Sequence, residues 1–128
     1  MAQLIRIEHS QSGTGIFRDS NNIPVPSNYS EDYEIVYPCL SRHNTHFPTP
    51  WEEGLSISKD NKNWFCAYKN VNQIQDWIKT NEMEVFIKYG FNILLLEVDD
   101  SNLQIGKYQI LFTKDAIISA TIINTLFV

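Results

Sequence analysis

The segment most informative about the fold is Phe91-Asn92-Ile93-Leu94-Leu95-Leu96-Glu97-Val98. In a β-strand, its four consecutive aliphatic side chains would point alternately to the two faces of a sheet. A strand that is apolar on both faces is typical of the interior of a sheet that is covered on both sides. We therefore predict that residues 91–98 form a central strand of a sheet.

The segments on either side of this stretch predict an α+β fold. Asn70 is a suitable N-cap for a helix that reaches Ile78, and Asn81 is one for a second helix that ends at Gly90. The predicted architecture is a single domain, residues 1–128, with two short helices and one mostly antiparallel sheet of about five to seven short strands. Alternating or β-prone residues favour further strands at 4–9, 55–58, 64–68, 107–112 and 117–128.

A long loop rich in proline follows the first strand. All five prolines of the chain lie between residues 18 and 54. Proline removes a backbone donor and disfavours helix in the residue before it, so this segment is predicted to be loop or extended chain. A loop of this length in a small domain is often functional. Its candidate binding residues are His43, His46, Trp51 and Glu53.

The local sequence of this loop explains why these residues are candidates for binding. Pro48-Thr49-Pro50 holds an extended backbone, which would present His46 on one side and Trp51 on the other. Such a rigid element suits a binding surface, and the alternative is an ordinary loop anchor. His43 and His46 are residue types that bind zinc, but their spacing does not match the paired ligands of a zinc site. We therefore predict no metal site.

Charge and hydropathy disfavour several classes of protein. Ten Lys and Arg residues against fifteen Asp and Glu residues leave a net charge of −5, whereas a nucleic-acid binder needs a basic surface. Arg6 and Glu8 interrupt the apolar run that a signal peptide requires. The uncharged stretch 116–128 is too short to cross a bilayer. These features predict a cytoplasmic protein that has no membrane partner and does not bind nucleic acid.

Arg6 is the most distinctive side chain of the first strand. Arg6 and Glu8 are two residues apart and share a face, whereas Ile5 and Ile7 point to the core. Beside the glycine turn at 13–15, Arg6 could hold a phosphate group bidentately. The favoured interpretation is a simple surface ion pair between Arg6 and Glu8. The sequence contains neither a G-x-S-x-G nucleophile motif nor a Walker loop.

A series of short motifs spans nearly the whole chain. The motifs are Arg6-Ile7-Glu8-His9, Gly13 with Gly15, His46-x-Pro48-x-Pro50-x-x-Glu53-Gly54, the aromatic strand with the 70–78 helix, and Gly106-x-x-Gln109-x-x-Phe112. In this order the motifs resemble those of a group of small phage and prophage proteins. The resemblance implies a viral or mobile-element origin, in which small acidic domains often bind and disable a host protein.

The order of Arg6 and Ser56-Ile57-Ser58 resembles that of mono-ADP-ribosyltransferases of the arginine–serine–glutamate class. The resemblance implies that Arg6 contacts the phosphates or ribose of NAD and that the serine strand supports the nicotinamide site. Gln109 stands where that family has a catalytic Glu, and Gln cannot supply its negative charge. The resemblance therefore implies a divergent or inactive enzyme. Its candidate catalytic residues are Arg6, Ser56, Ser58 and Gln109.

Two functional hypotheses follow from these observations. The first is a phage accessory protein of the host-cell cytosol that binds and modulates a host protein, such as a host-defence component, through the Pro/aromatic loop. No cofactor is expected for it. The alternative is an ADP-ribosyltransferase-like enzyme that uses NAD, so the sequence leaves open whether the protein is an enzyme. A homodimer is a further hypothesis, because the uncharged stretch 116–128 would form a strand that pairs across a two-fold axis.

Overall fold

The computed structural model describes residues 1–11, 15, 34–35, 38–39 and 50–127. Within these residues, six strands form one antiparallel sheet, and two α-helices lie between residues 70 and 90. This arrangement confirms the predicted α+β fold. Neither helix is long and apolar enough to cross a membrane. The strands are β1 (Ala2–His9), β2 (Phe65–Tyr68), β3 (Phe91–Val98), β4 (Gln104–Ile105), β5 (Gln109–Phe112) and β6 (Ile117–Ile122), and the helices are α1 (Val71–Trp77) and α2 (Thr80–Lys88).

β3 is an internal strand of this sheet, whose order is β4-β5-β2-β1-β3-β6. β3 pairs with β1 along its whole length, from Val98 opposite Ala2 to Phe91 opposite His9, and pairs with β6 on its other side. The predicted interior position is therefore confirmed. The more specific prediction of a central position is wrong by one place, because β2 and β1 occupy the middle of the sheet.

Side chains of β1 contribute to buried clusters on both faces of the sheet. Ile5 and Ile7 pack on the face that carries α1 and α2, which we call the helix face. Leu4 packs on the other face, which we call the opposite face. Arg6, which the sequence places on the surface, is also buried here. The helix-face cluster includes Ile74, Trp77, Met83, Phe86, Phe91 and Ile93, and the opposite-face cluster includes Ala67, Leu96, Val98, Ile110 and Phe112.

The two helices begin at caps of different kinds. Asn70 is the N-cap of α1 as predicted, and its side-chain oxygen accepts a hydrogen bond from the Gln73 N–H at 2.9 Å. The predicted cap of α2 at Asn81 is wrong, because α2 already begins at Thr80. The buried Glu82 carboxylate accepts the Lys79 N–H at 2.8 Å and so takes over the capping role. Gly90 ends α2 with a φ of 96°, as predicted.

Two predicted strands differ from the observed elements. The stretch 55–58 is not a strand but a turn that leads into a short 3-10 helix, Lys59–Asn61. The predicted strand 117–128 ends at Ile122, and the 3-10 turn Asn124–Leu126 follows it. Asn124 explains this ending, because its side-chain oxygen accepts the Ile93 N–H at 2.7 Å and holds the turn against β3.

Candidate functional site

Glu53 connects the end of the proline-rich segment to the β4–β5 hairpin. It lies in a 3-10 turn, Pro50–Glu53, that also carries Trp51. The Glu53 Oε1 accepts the Tyr108 N–H at 2.6 Å, and its Oε2 accepts the side-chain N–H of Gln109 at 3.0 Å. The sequence predicts Glu53 as a binding residue and Gln109 as a catalytic candidate, and the structure brings the two side chains into contact.

Gly106 allows this close approach of the turn to the hairpin. A Cβ atom at position 106 would lie 2.6 Å from the Glu53 Oε1 and 3.0 Å from the Leu55 Cδ1. Both distances are well below an ordinary van der Waals contact. A side chain at position 106 would therefore displace Glu53 from its hydrogen bonds.

Ser56 joins the same two segments through its backbone. Its N–H donates to the Gln104 Oε1 at 2.9 Å, and its carbonyl accepts from the Gln104 Nε2 at 2.8 Å. The side-chain amide of Gln104 thus makes the two hydrogen bonds to Ser56 that the backbone of a neighbouring strand would otherwise make. Ser58 is exposed, and its N–H donates to the Ser56 Oγ at 3.4 Å. The serines therefore lie in a turn beside β4, and the serine strand implied by the transferase resemblance is wrong.

Large apolar side chains are exposed around these contacts. Trp51 is 68% exposed and Ile105 is 67% exposed. Ile57 and Tyr108 are exposed as well. Each of the four lies within two residues of a contact that joins the 50–58 segment to the hairpin. Ile105 is opposite Ile110 of β5, which packs on the opposite face, so Ile105 points away from Gln109. We call Trp51, Ile57 and Tyr108 the Trp51 surface.

Tyr108 is the best supported member of this surface. Its ring centroid lies 6.4 Å from that of the buried Trp77 in α1. Its carbonyl accepts a hydrogen bond from the Gln73 side chain, and the Lys107 ammonium lies 5.1 Å from its ring centroid. The hairpin end of the Trp51 surface is therefore fixed to α1, which belongs to the helix face.

Arg6 is only 6% exposed and is held by several groups. Its Nε donates to the Glu8 Oε2 at 2.8 Å, which confirms the predicted Arg6–Glu8 pair. Its Nη1 donates to the Cys66 carbonyl at 2.7 Å. Its guanidinium carbon lies 5.2 Å from the ring centroid of Phe65 and 5.9 Å from that of Phe112. The predicted surface position is wrong because these two rings cover the guanidinium.

Glu8 is half-buried between two cations. The Lys114 Nζ donates to the same Oε2 at 2.8 Å that accepts the Arg6 bond. Burial alone raises the pKa of Glu8, but the hydrogen bonds and charges of Lys114 and Arg6 lower it below its ordinary value. The Glu8 carboxylate is therefore ionised at neutral pH and neutralises part of the positive charge that surrounds it.

Arg6 and Gln109 lie on opposite faces of the sheet. Ile5 is opposite Tyr68 in β2, and Tyr68 is opposite Gln109 in β5. Residues that are directly opposite each other in antiparallel strands share a face, so Gln109 lies on the helix face with Ile5. Arg6 follows Ile5 in β1 and points the other way. The structure therefore does not bring these two candidate catalytic residues into one site.

The remaining candidates of the proline-rich loop are His43 and His46. Both lie outside the described residues, as does most of the loop. Among the described residues, no three His, Cys, Asp or Glu side chains form a group that could hold a metal ion.

Sequence reasoning missed Ile105, Tyr108 and Gln104 as parts of this region. The sequence signal nearest to them is the motif Gly106-x-x-Gln109, which contains Tyr108 and directly follows Gln104 and Ile105. That motif identified the hairpin but not the exposure of its side chains. That exposure depends on the position of β4 at the edge of the sheet formed by the described strands. The order in which strands pair is set by contacts between residues far apart in the chain, so a local motif does not predict it.

Comparison with known proteins places the chain in a phage family. No curated protein and no solved structure matches it. A family model described as "Bacteriophage T4 Y00F protein" matches residues 1–125. This match agrees with the resemblance to small phage proteins. Because the match covers nearly all of the 128 residues, the chain belongs to the bacteriophage T4 Y00F protein family.

Proposed function

We propose that this phage protein is an accessory protein that binds a host protein through the Trp51 surface and modulates its activity. The observation that carries the proposal is the 68% exposure of Trp51 on an anchored turn. Exposing a large aromatic side chain to water costs free energy, and grouped exposed apolar side chains are typical of interaction sites. Trp and Tyr are also enriched among the residues that dominate binding energy at protein interfaces.

The turn that carries Trp51 is held in place by hydrogen bonds, which supports a binding role for Trp51 rather than an exposure that has no function. Glu53 fixes the turn by accepting two hydrogen bonds, and the Leu55 N–H donates to the Pro50 carbonyl at 2.9 Å. A side chain on a backbone that is already ordered loses less conformational entropy when it binds. Trp51 is therefore presented in a form that suits insertion into an apolar pocket.

The chemistry of the surface favours a protein partner. Its apolar members are flanked by the exposed charged residues Glu52 and Lys107, an arrangement typical of an apolar interface core with a polar rim. The net charge of −5 opposes binding to nucleic acid. We expect the host target to offer an apolar pocket for the indole ring, and a component of host defence is one class of such targets.

Site-specific photo-crosslinking tests this proposal. A photo-reactive phenylalanine analogue replaces Trp51 in one protein and Glu84 in a control, because Glu84 is exposed on α2, away from the Trp51 surface. After irradiation in host cells, we expect one host protein to be joined to the position-51 variant and not to the position-84 variant. Equal labelling at both positions, or labelling at neither, would contradict the proposal.

The affinity for the captured host protein then tests the role of the surface. Trp51→Ala removes the proposed anchor, and a hot-spot loss of about 2 kcal/mol corresponds to roughly 30-fold weaker binding. Gly106→Ala leaves Trp51 in place but displaces Glu53, so we expect a smaller loss of affinity. Glu84→Ala should bind like the unmodified protein. Isothermal calorimetry measures all three, and unchanged affinity in Trp51→Ala would refute the proposal.

A further inference from the structure

β6 forms the edge of the described sheet on the side away from β4. Ile118 is 60% exposed, Ile122 is 58% exposed, and the three residues between them are exposed as well. Residues 117–127 contain no charged side chain. Edge strands in natural proteins are commonly protected by lysine, proline or other charged groups, because their unpaired backbone groups attract further strands. The sequence of β6 carries none of these protecting residues.

The pairing of β6 with β3 determines which backbone groups point outward. The Ile123 N–H donates to the Ile93 carbonyl at 2.8 Å, so the backbone of residue 123 points towards β3. Successive residues of a strand direct their N–H and C=O groups to alternate sides. Thr121 therefore also points towards β3, whereas Ala120 and Ile122 direct their backbone groups away from the described sheet.

The sequence of β6 is self-complementary about Ala120. A two-fold axis through Ala120 and perpendicular to the sheet places Ala120 opposite its own copy. It places Ser119 opposite Thr121 of the copy, within the regular part of β6. Hydroxyl side chains would thus face hydroxyl side chains on both sides of the Ala120 pair. No like charges would meet, although each chain carries a net charge of −5.

We propose that a second copy of this chain pairs with β6 in antiparallel orientation, with the two-fold axis at Ala120. The Ala120 N–H of each copy donates to the Ala120 carbonyl of the other, because both groups point outward. The two sheets then continue into one. β4 lies at the far edge of each sheet, so both Trp51 surfaces stay exposed, and the dimer does not depend on the proposed host interaction.

The expected dimer is reversible because the paired segment is short. The register between β3 and β6 shifts at Glu97/Val98. Ile118 is therefore an extra residue that is not opposite any residue of β3, and only residues 119–122 pair with β3 in a regular register. A contact of this length lies below the size of a standard interface, about 1,600 Å². The fraction of dimer should therefore rise with protein concentration.

Disulfide trapping tests the position of the axis. Ala120→Cys places two thiols on opposed residues whose Cα atoms are about 5.5 Å apart, within the range for a disulfide. Thr121→Cys is the matched control, because the two copies of residue 121 would be about 8 Å apart and too distant to join. Under mild oxidation we expect a covalent dimer of Ala120→Cys, and no more of it in Thr121→Cys than in the unmodified chain. Equal crosslinking of both variants would overturn the proposed register.

Sedimentation equilibrium of the full chain tests the association itself. We expect the mass to rise from one chain towards two chains as the concentration increases. Ala120→Pro removes the outward N–H, and proline is tolerated at such a position of an edge strand, so this variant should stay monomeric with an unchanged far-UV spectrum. An unmodified chain that is monomeric at every concentration would overturn the proposal, and so would a dimer that persists in folded Ala120→Pro.

Discussion

Glu8 is the residue whose ionisation we expect to affect stability most clearly. Its pKa is lowered below the ordinary value of 4.5, since the bonds and charges of Lys114 and Arg6 outweigh the raising effect of burial. A carboxyl group with a lowered pKa in the folded state stabilises the protein above its unfolded pKa, and this contribution is lost as the pH falls. Glu8→Gln should cost about 2 kcal/mol at neutral pH, and the cost should shrink below pH 4.5.

Urea unfolding of both proteins between neutral and acidic pH measures this difference. The hydrogen bond from Ser101 also lowers the pKa of Asp99, but Asp99 is present in both proteins, so its effect cancels. A difference in unfolding free energy that stays constant through pH 4.5 would show that Glu8 is not held by these cations.

The environment of Arg6 shows what a single strand sequence can predict about a residue. Alternation in 4–9 placed Arg6 and Glu8 on one face, and the structure confirms both the shared face and their contact. The alternation alone could not predict that this face of β1 is buried as well. The burial comes from Phe65 and Phe112, which lie far from Arg6 in the sequence and reach it only through the sheet pairing.

At the scale of elements, Asn70 provides the clearest test of a helix N-cap predicted from the sequence. Its side chain accepts the Gln73 N–H, one of the donors that the first turn of α1 leaves without a helical partner. Asn70→Ala should lower the free energy of unfolding by about 1 kcal/mol, whereas Asn70→Asp keeps an acceptor and should change it little. Urea denaturation followed by far-UV circular dichroism measures both values. Equal losses in the two variants would contradict a capping role.

The stretch 55–58 shows why an element predicted from alternation can fail. Its alternating residues suit a strand, but strand formation also needs a partner backbone with free donors and acceptors. β4, its neighbour, has only two residues, and the Gln104 side chain supplies the hydrogen bonds to Ser56 instead. The resulting turn places Glu53 and Trp51 beside the hairpin. That part of the candidate site could not be predicted from local sequence.

At the scale of the whole molecule, the order of the strands determines which candidate residues share a site. Among the strands described, β1 with β2 and β4 with β5 are consecutive in the chain and adjacent in the sheet, but only β4 and β5 are joined by a short turn. The other pairings join distant segments, so periodicity predicts the strands but not their order. This order brings Glu53 to Gln109 and leaves Arg6 on the other face. It therefore favours a binding surface at the β4 edge over a catalytic site that needs both Arg6 and Gln109.

The response of the whole protein to NAD tests that distinction. A ligand that binds only the folded state stabilises the protein. Once the ligand concentration exceeds Kd, the melting temperature rises with the logarithm of that concentration. We expect NAD to cause no such rise, because the Arg6 guanidinium already bonds to Glu8 and Cys66 and faces away from Gln109. Thermal unfolding with increasing NAD is measured for the unmodified chain, Arg6→Lys and Ser58→Ala. A rise that grows with the NAD concentration and that both substitutions reduce would contradict this expectation, since it would require Arg6 to leave Glu8 and bind phosphate instead.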